Sequence, residues 1–202
     1  WVKAGVGGRP PPAPAPTNGI ATSEWVRRRL AEGFTVQLFQ PQRHVEELAV
    51  LISALEARFS CLCGCSSYHT PPGSQGLAAH HDDVEVFILQ TQGQKRWQLF
   101  APVGGHALPR TPSTDLSVQE LGPCTHDLLL EPGDLLYLPR GVVHQARTTS
   151  DFSTHLTLST YQRHAWADLL AAALPAILRD ASASSLPLRR GLPLGLLSSL
   201  GY

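Results

Sequence analysis

His80 and Asp82 stand two residues apart in the run His80-His81-Asp82-Asp83, and His144 follows far downstream, just after Pro139-Arg140-Gly141. In extended backbone, residues i and i+2 point to the same face, so one metal ion can be held by His80 and Asp82 while His81 turns away. A second extended segment then supplies His144. Two imidazoles and one carboxylate on one side of a metal leave coordination positions open, the arrangement that suits mononuclear non-haem Fe(II) and oxygen chemistry. A histidine and an aspartate two apart occur often by chance. The Pro132-Gly133-Asp134 turn, the apolar run after it and the Pro-Arg-Gly turn before His144 make the combination far more specific.

The run of two histidines and two aspartates offers two registers. Val84, Val86 and Ile88 share parity with Asp82, whereas Glu85 shares parity with Asp83. An interior site belongs to the uncharged face, which selects His80 and Asp82 as ligands and leaves His81, Asp83 and Glu85 as flanking or rim residues. A β-bulge would shift that parity and make Asp83 the ligand instead. His44, His69, His106, His126 and His164 have no such companions and are read as surface or core histidines. Cys61, Cys63 and Cys65 alternate without the paired knuckles of a zinc site, and Cys124 is alone, so cysteine is assigned no chemistry.

These residues need a scaffold of short strands. Between Leu77 and Tyr161, turn residues separate apolar runs at 84–90, 95–101, 127–130, 135–138, 142–148 and 154–161, a spacing that favours a sandwich or jelly roll. Residues 104–122 are polar and proline-rich and are expected to form a long surface loop. Upstream, Ser23 is a plausible cap for a helix over 24–32, and 34–39 reads as a strand. Val45, Leu48, Leu51, Ile52, Leu55 and Phe59 fall at helical spacing, which predicts a helix covering one face of the β structure. A further helix is expected over 165–179, and a linker into an apolar tail from Leu186.

Composition sets the outer limits. The chain has 202 residues, 43% of them hydrophobic, enough for one domain with a substantial core. Lysine plus arginine equals aspartate plus glutamate at 16 each, which argues against whole-domain attraction to nucleic acid. No apolar run is long enough for a membrane span and no signal core is evident, so the chain is expected to be soluble and intracellular. Residues 1–22, rich in Gly, Pro and Ala, are expected to be a disordered leader. A start at Trp1 and the lack of methionine suggest a piece of a longer protein.

At the same residues the chain resembles the ribosomal oxygenase family, JmjC-type 2-oxoglutarate oxygenases. The similarity runs from Tyr68-His69-Thr70-Pro71-Pro72-Gly73 into the His-x-Asp motif. It continues through Phe87, Ile88, Leu89 and Gln90 to Gly93, Lys95 and Trp97, then through Leu130-Glu131-Pro132-Gly133-Asp134 to His144, and closes with 153–162. Residues 157–163 and 189–193 are most similar to the nucleolar member. The resemblance implies a mainly β fold, a double-stranded β-helix (jelly roll, cupin-like) with flanking helices. The oxygenase domain would occupy 23–188, and 189–202 would begin a helical dimerisation region.

The resemblance further implies Fe(II) held by His80, Asp82 and His144, with 2-oxoglutarate and dioxygen as co-substrates. Lys95 matches the family's cation for the distal carboxylate. Tyr68 and Ser159 match positions that help to hold the co-substrate, and His155 is a supporting residue. The chain departs from the family pattern at Ser66, commonly Asn, and at His81, commonly Tyr. The implied activity is hydroxylation of a histidine in a large-subunit ribosomal protein, in the nucleus and nucleolus, by a homodimer in the full-length protein. Demethylation of methyl-lysine on histone H3 by the same site is a second implication. A catalytically inactive cupin-fold binding fragment is a reading from another class.

Overall fold

The computed structural model describes residues 2–3, 16, 19–102, 107–196 and 200. Most of the expected leader, His106 with the start of the long loop, and part of the apolar tail lie outside the described residues. The chain divides into two compact units, one up to Gln162 and one from Arg163.

In the first unit every strand pair is antiparallel. A large sheet has the order β1 (Val2–Lys3), β2 (Thr35–Phe39), β3 (Cys63–Thr70), β9 (Ser153–Thr160), β4 (Val86–Gln92), β7 (Leu135–Leu138). A small sheet has the order β6 (Cys124–Leu130), β5 (Lys95–Phe100), β8 (Val143–Thr148). The core lies where the two sheets meet: Val86, Ile88 and Leu138 of the large sheet pack with Trp97, Leu99 and Leu130 of the small one. This is the jelly roll, with alternate residues of each strand turned inward.

The helical periodicity of 45–59 is realised as α2 (Glu46–Phe59). Its Leu51, Ile52 and Leu55 pack on Cys65, Leu158, Phe87 and Leu89, the opposite parity of β3, β9 and β4 from the inward set. One helix therefore covers the outer face of the large sheet, and burying Ile52 there contributes roughly 1.5–3 kcal/mol. The preceding helix, α1 (Ser23–Ala31), is capped by Thr22 rather than Ser23, because the Thr22 hydroxyl accepts from the Trp25 amide at 3.2 Å.

Three differences from the sequence expectations bear on the site. β3 is a full strand although the sequence gives it little apolar alternation: its inward residues Gly64, Ser66, Tyr68 and Thr70 are small or polar. The segment 82–85 is not strand, since β4 begins at Val86 rather than at 84. The Glu85 carboxylate accepts hydrogen bonds from the Tyr137 hydroxyl and the Arg140 amide, while its backbone carbonyl accepts from the Thr160 amide of β9 at 3.1 Å. The long loop is only partly free, for Leu116 bridges Ala79 and the Ser113 amide donates to the His81 carbonyl at 3.0 Å.

The second unit contains α3 (Trp166–Ser184), longer than expected, and α4 (Leu186–Arg189). Among the described residues no helix is long and apolar enough to cross a membrane.

Candidate metal centre

His80 and His144 meet as an isolated antiparallel bridge, each amide donating to the other's carbonyl at 3.1 and 2.9 Å. This pairing puts their rings side by side, with centroids 4.5 Å apart. The Nδ1 atoms face backbone carbonyls, His80 that of Ala78 at 2.7 Å and His144 that of Val142 at 3.0 Å. A carbonyl can only accept, so Nδ1 carries the proton and Nε2 keeps its lone pair for a metal. Asp82 reaches the same place from the turn beyond: its carboxylate oxygens lie 4.0 Å from His80 Nε2 and 3.8 Å from His144 Nε2. One donor atom from each of the three residues falls within 4.8 Å of the others. Burial pushes the His144 imidazole down to about 4, so it is neutral at physiological pH, the form that ligates. The donor set fits a divalent transition metal with an open side.

The same three side chains line a cavity shared with Tyr68, Lys95, Trp97, Gln145, His155 and Thr157 among others. Lys95 is only 4% exposed, and its ammonium donates to Thr70 Oγ1 at 3.0 Å. Burial lowers it from an ordinary 10.5 to about 7. His155 is held well below its ordinary value, first by burial and then by the charge of Lys95, and it stacks on Tyr68 with ring centroids 4.9 Å apart. Burial pushes the Tyr68 hydroxyl up, and the charge of Asp82 adds to this. His155 Nδ1 and Trp97 Nε1 are buried without a hydrogen-bond partner among the described residues. A buried cation and unpartnered polar atoms beside a metal triad fit a small anionic ligand that also reaches the metal.

The family described as the JmjC domain matches residues 37–169. This chain belongs to the JmjC domain family. The JmjC chain is 44% identical over 186 residues to the bifunctional lysine-specific demethylase and histidyl-hydroxylase NO66 of Drosophila grimshawi, covering 91% of this chain and 26% of that protein. It is also 44% identical over 169 residues to ribosomal oxygenase 2 of Rattus norvegicus, covering 82% of this chain and 36% of that protein. It thus spans between about a quarter and a third of the length of these curated relatives. Among solved structures, the Escherichia coli ribosomal oxygenase YcfD is similar with a TM-score of 0.53 at 21% identity, over 73% of this chain and 37% of that one. At that identity the likeness carries the fold alone, and it is the fold that the sequence pattern implied.

Within the JmjC domain, the residues singled out from sequence fall into two groups. His80, Asp82, His144, Lys95 and Tyr68 share the cavity. Ser66 and Ser159 are not among its lining residues. Ser66 Oγ accepts from Gln37 Nε2, which also donates to the Tyr68 hydroxyl at 2.9 Å. The Ser159 hydroxyl lies against Gly64, 3.1 Å from where a Cβ there would sit. Asp83 is buried but faces elsewhere, accepting from Gln162 Nε2. His81 turns to another cavity, lined also by Arg110 and Gly141. Sequence reasoning missed Thr70, Thr35 and Thr157. Strand parity pointed to two of them, since Thr70 and Thr157 stand two residues beyond Tyr68 and His155; nothing in the sequence singled out Thr35.

Proposed function

We propose that this chain is the oxygenase domain of an Fe(II)- and 2-oxoglutarate-dependent protein histidyl hydroxylase acting on a large-subunit ribosomal protein. The observation that carries the reading is the shared cavity, with His80, Asp82 and His144 converging by their metal-ligating atoms and Lys95 buried among the same walls. The names of its relatives, histidyl-hydroxylase and ribosomal oxygenase, support it. So does the solved complex of YcfD with cobalt and 2-oxoglutarate.

In this reading His80, Asp82 and His144 hold the iron and Lys95 with Thr70 receives the distal carboxylate of 2-oxoglutarate. When bound, iron supplies the means to split dioxygen: one oxygen atom goes to 2-oxoglutarate, which leaves as succinate and carbon dioxide, and the other enters a C–H bond of the target. The protein's own work is positional. His80 and the neutral His144 donate their Nδ1–H to backbone carbonyls, and the cavity walls exclude water and fix the co-substrate beside the open side of the centre. Domain limits of 23–188, a homodimer through the following helical region, and action in the nucleus and nucleolus belong to the same proposal.

The second reading, demethylation of a methyl-lysine of histone H3, is favoured by the demethylase half of the NO66 name. Incubation with Fe(II), 2-oxoglutarate and matched ribosomal and histone peptides separates the two. Succinate formation with gain of one oxygen on histidine supports hydroxylation, whereas loss of methyl from lysine supports demethylation. Binding of iron and 2-oxoglutarate without oxidation of either peptide class would leave the fold as a binding module and overturn both.

A further inference from the structure

Asp82 is the least supported of the three metal-binding side chains. His80 and His144 sit on a β-bridge, whereas Asp82 lies in the non-strand segment between that bridge and Val86. The segment is held from one side by the Thr160 amide on the Glu85 carbonyl and Gln162 on the Asp83 carboxylate, and from the other by the turn that leads to the other histidine. Two successive amides of that turn hold its two ends: Gly141 N donates to the Asp82 carbonyl at 3.0 Å, and Arg140 N donates to the Glu85 carboxylate at 3.3 Å. The same Glu85 oxygen, Oε2, accepts from the Tyr137 hydroxyl at 2.7 Å, and Oε1 lies 3.7 Å from Arg140 Nε. The turn is closed by Val142 N donating to the Pro139 carbonyl at 3.2 Å. Gly141 adopts φ +90, a backbone state that favours glycine.

Glu85 therefore joins the Asp82 segment to the end of β7 and to the turn from which His144 departs. The joint is compact and sheltered, the Glu85 and Arg140 side chains being 28% and 17% exposed. Tyr137 is held in place by stacking on Phe87, with ring centroids 5.0 Å apart, so its hydroxyl is a fixed donor. Neither Glu85 nor Tyr137 lines the metal cavity. The alternation rule applied to the sequence makes Glu85 a flanking or rim residue, yet such a residue needs no two hydrogen bonds and a guanidinium.

We propose that Glu85 is a positioning residue for the metal centre: by clamping Tyr137 and Arg140 it sets the distance between the Asp82 carboxylate and the His144 imidazole, and so the affinity and geometry of the bound metal. The proposal rests on the metal reading of His80, Asp82 and His144. Loss of the clamp leaves the 82–85 segment on the turn by the Gly141–Asp82 backbone hydrogen bond alone, with Thr160 still on the Glu85 carbonyl, so the third ligand is held less firmly and metal affinity falls while the fold persists. Outer partners of metal ligands are worth roughly 10–100-fold in affinity, and the clamp is expected near the lower figure because it acts through backbone.

The test compares Glu85→Leu, Glu85→Gln and Tyr137→Phe with the unaltered chain, using Co(II) as the probe. Titration gives the affinity, the Co(II) visible spectrum reports coordination, and thermal unfolding without metal reports the fold. Glu85→Gln can keep the carbonyl where Oε2 stands and still accept from Tyr137 and Arg140, so it should retain most of the affinity. Glu85→Leu should lose about tenfold or more and change the spectrum, with Tyr137→Phe falling between. Equal affinity and equal spectra in Glu85→Leu and the unaltered chain would overturn the clamp. A fall in unfolding temperature with unchanged Co(II) binding would assign Glu85 to stability alone and also overturn it. Failure of the unaltered chain to bind Co(II), or undiminished binding in Asp82→Ala, would instead remove the metal reading beneath it.

Discussion

A lysine buried in a cavity costs the folded protein stability, and that cost can be measured against pH. Lys95 keeps one hydroxyl partner, Thr70, and burial lowers it from 10.5 to about 7. Between those two values the unfolded chain holds a proton that the folded chain has released, so the unfolded state is favoured by falling pH. Stability should therefore rise as pH increases from about 7 to 10.5 and be lowest, from this group, below about 7. The full span corresponds to on the order of 5 kcal/mol, at about 1.36 kcal/mol per unit. Replacing Lys95 by Met keeps length and volume and removes the charge. Urea unfolding of both proteins from pH 7.5 to 9.5 should show a difference that changes by about 3 kcal/mol, with the variant the more stable at the lower end. The lost hydrogen bond to Thr70 subtracts only about 1 kcal/mol from that gain. In the same variant 2-oxoglutarate affinity should fall by at least about 2 kcal/mol, or roughly 30-fold, since an anion would be left without its cation. Parallel stability curves for the two proteins would refute the buried-lysine reasoning, and unchanged 2-oxoglutarate affinity would refute the role given to the cation.

Three further substitutions probe the site and the scaffold. His144→Ala removes a proposed ligand from a β-bridge that is held by backbone, so succinate formation should be lost while circular dichroism stays unchanged; near-normal turnover would reject the ligand role. Gly93 turns the chain between β4 and β5 at φ +61, and a Cβ there would stand 1.9 Å from the Phe152 carbonyl oxygen. Gly93→Ala should therefore cost more than the roughly 1–3 kcal/mol of backbone strain alone, measured by urea unfolding. Leu138 is 1% exposed between the two sheets, and Leu138→Ala should cost about 2–5 kcal/mol. A cost below 1 kcal/mol would mean that the sheets close over the gap.

Side-chain types and short spacings settled much of this protein before folding is considered. The two-residue spacing of His80 and Asp82 pointed to a shared metal although Asp82 itself lies beyond the bridge, outside any strand, and α2 is amphipathic because its apolar residues recur every three or four. The turns at Pro132-Gly133 and Pro139-Arg140-Gly141 are local choices that proline and glycine make by themselves. Such features depend only on neighbours in the chain, so the jelly-roll pattern and the three side chains that converge as a candidate ligand set were legible. β3 was not, because its inward face is small and polar for the sake of the cavity and its outward face is satisfied by α2.

Only the tertiary structure decided which distant groups meet. The bridge between His80 and His144 depends on the pairing of two separate segments, and the burial of Lys95 beside Thr70 depends on the small sheet folding over the large one. The same is true of Glu85, whose charge suggests solvent and whose partners, Tyr137 and Arg140, come from the opposite side of the turn. A sequence fixes what each residue can donate, accept or ligate; the distances that turn those capacities into a site come from long-range packing, which no local pattern encodes.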